Sequence, residues 1–238
     1  MEPDTTTITS PTTASPTTGS PTTARPTGGR SPDDPRAVFA AAVATGGSVI
    51  AAVRPDQLDL PTPCADFTVR QLLGHLVAVL DRVAALGRGE DPFAAGTEHV
   101  LPQVADDGWS AAWMQAAHRV QEVWTDDTVL ELPMALPWMT APGAAVIGSY
   151  TCEVTVHTWD LATAVGARPG FDDRAVGVAE ASIRHGLPAE GRLAAFEAIS
   201  AAMPEDQRSG TPPFGEAVAV PDDAAAIDRL VAWTGRRP

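Results

Sequence analysis

The sequence contains no lysine and no asparagine, and arginine supplies all 16 of its basic side chains. That usage is typical of GC-rich coding and carries no information about the fold. Against 30 acidic residues it leaves a net charge of −14 and a pI near 4.6. Such a surface repels phosphate backbones and anionic lipids, which sets aside nucleic-acid and membrane-surface functions. Two cysteines, Cys64 and Cys152, are too few for a disulfide framework. No apolar run approaches the roughly 18 residues needed to span a membrane. Glu2 and Asp4 stand where a signal peptide would be basic, so the expected location is a reducing cytoplasm. Aromatic residues make up only 5% of the chain, so alanine, leucine and valine must fill the core. Sustained alternation of apolar and polar residues is also missing, and the expectation is an all-α protein.

What is present divides the chain in two. Through residue 33, Ser-Pro-Thr-Thr recurs at Ser10, Ser15 and Ser20 among further prolines and threonines. Low hydrophobicity cannot offset the entropy of ordering, and the prolines forbid helix, so residues 1–33 read as a disordered tail. Residues 34–238 read as one helical domain. A first helix begins at Pro35 and carries Val38, Phe39, Ala42, Val49 and Ile50; Gly46-Gly47 is expected to kink or fray it. After the proline-fixed turn Leu60–Asp66, Thr68 and Gln71 form a capping box, flanked by the Phe67/Leu72 hydrophobic staple. The helix they start carries Val69, Leu72, Leu73, Leu76, Val79, Leu80 and Val83 as a broad apolar stripe. A third helix places Trp109, Trp113, Val120 and Trp124 in the core and His118 at the surface. Two helical patterns cover 172–186 and 190–202, followed by an extended stretch, Phe214 to Pro221, and a last helix capped by Asp222.

Between Pro142 and Gly166 runs a long helix with no internal proline and a glycine stop. Glu153 and His157 stand four apart on it and therefore share a face. A carboxylate carried into an apolar interior needs pairing or a metal, and a neutral imidazole beside it is a natural co-ligand. The pair asks for a third partner. His75, inside the apolar stripe of the second helix, would alone read as a core residue. Next to the pair it becomes the leading candidate, because His99 falls in a loop, His118 on a surface and His185 at a helix end. Asp160, three residues past His157, stays near the same face. Two roles are open to it: orienting a ligand imidazole, or accepting a helix hydrogen bond. Cys64, Cys152 and Trp159 read as packing residues.

Pro61-Thr62-Pro63-Cys64-Ala65-Asp66-Phe67-Thr68-Val69-Arg70-Gln71-Leu72-Leu73-Gly74-His75-Leu76-Val77 and Glu153-Val154-Thr155-Val156-His157-Thr158-Trp159-Asp160-Leu161-Ala162 resemble the two signature blocks of the mycothiol-dependent maleylpyruvate isomerase-like, DinB-type metal-binding proteins of actinobacteria. The ending, Phe214 to Pro238, is similar to that family's short form, without a sterol-carrier-like C-terminal domain. The resemblance implies a four-helix bundle whose metal is held by a histidine on the second helix and by a glutamate and a histidine on the fourth. In this sequence those are His75, Glu153 and His157. Two histidines and a carboxylate leave a position open to water or substrate, the arrangement of catalytic zinc; nickel, manganese or iron(II) suit the same ligands.

The implied chemistry uses mycothiol as co-substrate: a thiol held by the metal is deprotonated near neutral pH and attacks a small electrophile, in isomerisation or in thiol transfer. The missing domain points to the metal and the thiol, rather than to maleylpyruvate. A second class stays open, a metal-containing small-molecule-binding module that has kept the bundle without turnover. Either would act as a monomer or homodimer on small molecules.

Overall fold

The computed structural model describes residues 30–65, 67–94, 104–137, 139–202, 212 and 214–238. The expected tail, residues 1–33, lies almost wholly outside them, as does His99. Residues 31–238 cluster as one unit. The described residues form seven α-helices: α1 (Pro35–Ile50), α2 (Val69–Gly87), α3 (Trp109–Val123), α4 (Gly143–Val165), α5 (Asp173–Gly186), α6 (Arg192–Ala202) and α7 (Ala226–Trp233). The first four make the bundle, with α4 packed on α1 and α2, and α2 on α3. Helix α5 covers the outer side of α4, and α7 packs on α5.

Local sequence accounts for most of the boundaries. The Asp34 carboxylate accepts from Arg36 N at the start of α1. At α2 the Thr68 and Gln71 side chains cap each other's backbone as a capping box. Helix α4 stops at Gly166, whose φ of 73° is the left-handed conformation glycine adopts freely. The stripe on α2 is sealed, with Leu72, Leu73, Leu76, Val79, Leu80 and Val83 all at 0% exposure. Trp113 and Trp124 each bury a ring and spend the indole N–H on a carbonyl, Val43 O at 3.2 Å and Val83 O at 2.8 Å. His118 and His185 are exposed, as expected.

Two local expectations need correction, at Gly46-Gly47 and at Asp222. Helix α1 runs unbroken through Gly46-Gly47. A β-carbon on either residue would stand 3.0 Å from the Trp113 indole, so the pair is a notch that lets α3 approach α1, and packing offsets the propensity cost. The all-α expectation holds, the sheet among the described residues being a two-stranded hairpin: β1 (Pro133–Leu136) pairs antiparallel with β2 (Met139–Pro142), with Met134 opposite Ala141 and Leu136 opposite Met139. Strands of four residues are too short to show alternation in the sequence. Asp222 lies in a turn and caps nothing; α7 starts after Ala225, without a side-chain cap. Phe214–Pro221, expected as an extended stretch, belongs to no helix or strand and lies along α7 through Val218 N to Ala232 O at 2.9 Å. Among the described residues no helix is long and apolar enough to cross a membrane.

Candidate metal centre

Helices α2 and α4 pack on each other, and His75 from the first meets Glu153 and His157 from the second in that contact. His75 lies in the second turn of α2, while Glu153 and His157 occupy successive turns of α4. His75 Nε2 is 2.9 Å from Glu153 Oε1, and His157 Nε2 is 3.6 Å from the same oxygen. The two imidazoles stand edge to face, their centroids 4.7 Å apart. Donor atoms of His75, Glu153 and His157 all lie within 4.8 Å of one another. The expected trio is thus brought together by two helices 78 residues apart in sequence.

Burial is uneven across the cluster. The histidine side chains keep 6% and 11% exposure, but Glu153 keeps 32%, so the group opens to solvent on its carboxylate side. Phe67, the staple residue before α2, stacks on His75 at 5.2 Å and meets His157 edge-on at 6.4 Å. It covers one face of the His75 ring.

The charges sort themselves by partner. Burial pushes the His75 imidazole below its ordinary value, and the neighbouring His157 charge lowers it further, so it stays neutral. As Glu153 is ionised and can only accept, His75 donates to it through Nε2. Burial also opposes a charge on His157, but its hydrogen bonds with Asp160 and Glu153 outweigh that and raise it to about 9. Burial works against the Glu153 anion too, yet the adjoining His157 and His75 hold it well below the usual carboxylate range.

Of the two contacts open to Asp160, the structure shows the one to His157. Fully buried, it accepts from His157 Nδ1 at 3.0 Å, which fixes the ring so that Nε2 faces Glu153. Its oxygens also take a two-pronged contact from Arg236, Nε at 2.9 Å and Nη2 at 2.7 Å. Sequence reasoning missed Arg236, because nothing at a distance of 76 residues marks it as a partner. Burial opposes a charge on Asp160, but His157 and the Arg236 guanidinium outweigh it and hold the carboxylate ionised.

The two cysteines differ. Cys152 packs with Val156, Val176, Ala179 and Leu230, and burial pushes its thiol up to about 12, so it is an inert core residue. Cys64, expected as a packing residue, stands near the site. It is half-buried, with its sulfur within 4.8 Å of donor atoms of His157 and Asp160. That second group is the poorer metal site, because both Asp160 oxygens are already engaged by Arg236. Trp159, expected in the core, is only half-buried. Tyr150, one turn before Glu153, escaped notice in the sequence: its buried hydroxyl has no hydrogen-bond partner among the described residues.

The donor chemistry of His75, Glu153 and His157 fits a divalent ion: two imidazole nitrogens and one carboxylate oxygen, converging from rigid helices and shielded on one side. Residues 39–162 match the family described as mycothiol maleylpyruvate isomerase N-terminal domain. Two proteins from strains of Mycobacterium tuberculosis, each described as uncharacterized, are 31% identical over 203 residues, covering 85% of this chain and 98% of theirs. No solved structure matches. The matched span contains α2, α4 and all three converging side chains, and the chain belongs to the mycothiol maleylpyruvate isomerase N-terminal domain family.

Proposed function

We propose that this protein binds one divalent ion, zinc in the first instance, through His75, Glu153 and His157, and uses it to activate mycothiol toward a small electrophile by thiol transfer or isomerisation. The observation that supports this most is the convergence of three donor groups within 4.8 Å, with the carboxylate side open. A bound ion would supply the Lewis acidity that draws a thiol's pKa toward neutrality. The chain's own residues set the rest. One carboxylate and two neutral imidazoles leave a doubly charged ion with a net charge of about +1, which favours an anionic thiolate over a neutral alcohol. Asp160 and Arg236 cancel each other and add nothing to that balance. Phe67 covers one face of the His75 ring, and the exposed edge of Glu153 marks the side from which thiol and electrophile would enter. We assign this activity to residues 34–238, in a reducing cytoplasm where a thiol co-substrate persists.

Metal analysis of the purified protein, coupled to a screen of small electrophiles with mycothiol, tests the proposal. About one divalent ion per chain is expected, together with electrophile-dependent loss of free thiol that stops when a chelator strips the ion. Stoichiometric metal with no thiol consumption by any electrophile would favour a metal-containing binding module instead.

A further inference from the structure

Beyond α7 the chain does not trail away from the bundle but turns back into it. Gly235, with a φ of 91°, follows the last turn, and the amides of Gly235 and Arg236 return to Ala232 O and Val231 O, each at 3.0 Å. This is a Schellman closure, and its left-handed residue has to be glycine. A β-carbon there would also stand 2.8 Å from the backbone of Gly215. The closure directs Arg236 inward, where it is 8% exposed and grips the fully buried Asp160. Further contacts hold the turn in place. Arg192 donates to the carbonyls of Gly215 and Trp233, and the Trp233 ring lies under the Arg184 guanidinium at 4.0 Å.

We propose that Arg236 is a positioning residue for the metal centre, acting through Asp160 to hold His157 Nε2 toward Glu153, so that docking of the α7 turn and metal binding are coupled. This rests on the metal reading of His75, Glu153 and His157. Asp160 has two rotamer-fixing partners, Arg236 and His157. Without the guanidinium a buried carboxylate would have only the imidazole to satisfy it, and would swing or draw in water. Either change releases the ring orientation. Coupling is reciprocal, so an ion that fixes His157 also stabilises the docked turn.

The experiment compares zinc affinity, by chelator competition, and the cobalt(II) ligand-field spectrum in wild type, Arg236→Gln, Asp160→Asn and the double variant. Arg236→Gln is expected to weaken zinc by about 10- to 100-fold and to shift the cobalt bands, as loss of a ligand's orienting partner does. In the Asp160→Asn background the same change should cost nothing more, because the route runs through Asp160. Wild-type affinity and spectrum in Arg236→Gln, or losses that add in full, would overturn the proposal. Hydrogen exchange in the wild type needs no variant to fold: zinc should slow the amides of Thr234, Gly235 and Arg236, and unchanged exchange would equally overturn it. A wild type that binds no zinc would fail the metal reading itself, a result distinct from either.

Discussion

His75→Ala, Glu153→Ala and His157→Ala will each weaken zinc binding by about a hundredfold or more. A zinc ion held by four protein ligands is worth roughly 10–16 kcal/mol, or about 3 kcal/mol for each, and 1.4 kcal/mol is a factor of ten. The three losses should differ in their side effects. Glu153→Ala removes the only anion of the trio but leaves His157 paired with Asp160. His157→Ala leaves Asp160 in its contact with Arg236. His75→Ala opens a gap beneath Phe67, in the sealed stripe of α2. Melting in the presence of chelator measures those side effects apart from the metal. Chelator competition then gives the affinities, and full retention by any one variant removes that residue from the site.

Zinc affinity will also rise with pH, by about tenfold per unit between roughly pH 6.5 and 9. The cause is His157, whose imidazolium is held by Asp160 and Glu153 against burial until about pH 9. A ligand imidazole must be neutral, so below that value each ion bound releases a proton from His157. His75 adds no such cost, because burial already keeps it neutral. The metal-free protein should show the opposite trend. A histidine whose folded value is raised above its unfolded one stabilises the fold fully below the unfolded value, about 6.5, and that contribution is lost as pH rises through about 9. Isothermal titration in buffers of different ionisation enthalpy counts the protons released. His157→Gln should flatten the metal-free stability across this window, and a wild-type zinc affinity that does not change with pH would contradict the assignment.

The helices that carry the site were legible because their signals are local. Thr68 with Gln71, the stripe from Val69 to Val83, and the stop at Gly166 each sit within a turn or two of what they determine. The trio was legible for a different reason: polar residues in apolar surroundings at helical spacing are costly unless they meet. What escaped depends on contacts distant in sequence. Gly46-Gly47 reads as a weakness until Trp113 is seen resting on it. Nothing local marks Arg236 as a partner, and only the fold brings it to Asp160. The tie of Cys64 to His157 is likewise tertiary, since a turn before one helix has no local reason to meet the middle of another.

The most direct measurement is the cobalt(II) spectrum of a protein carrying Cys64→Ser and Cys152→Ala, titrated with mycothiol and, in parallel, with an analogue bearing oxygen in place of sulfur. Removing both cysteines leaves the added thiol as the only new source of a sulfur signal. Because His75, Glu153 and His157 leave a position for an exchangeable ligand, mycothiol should bind as thiolate and bring a new sulfur-to-metal charge-transfer band, while the oxygen analogue should not. A cobalt-loaded protein whose spectrum ignores mycothiol at millimolar concentration would contradict thiol activation at this site.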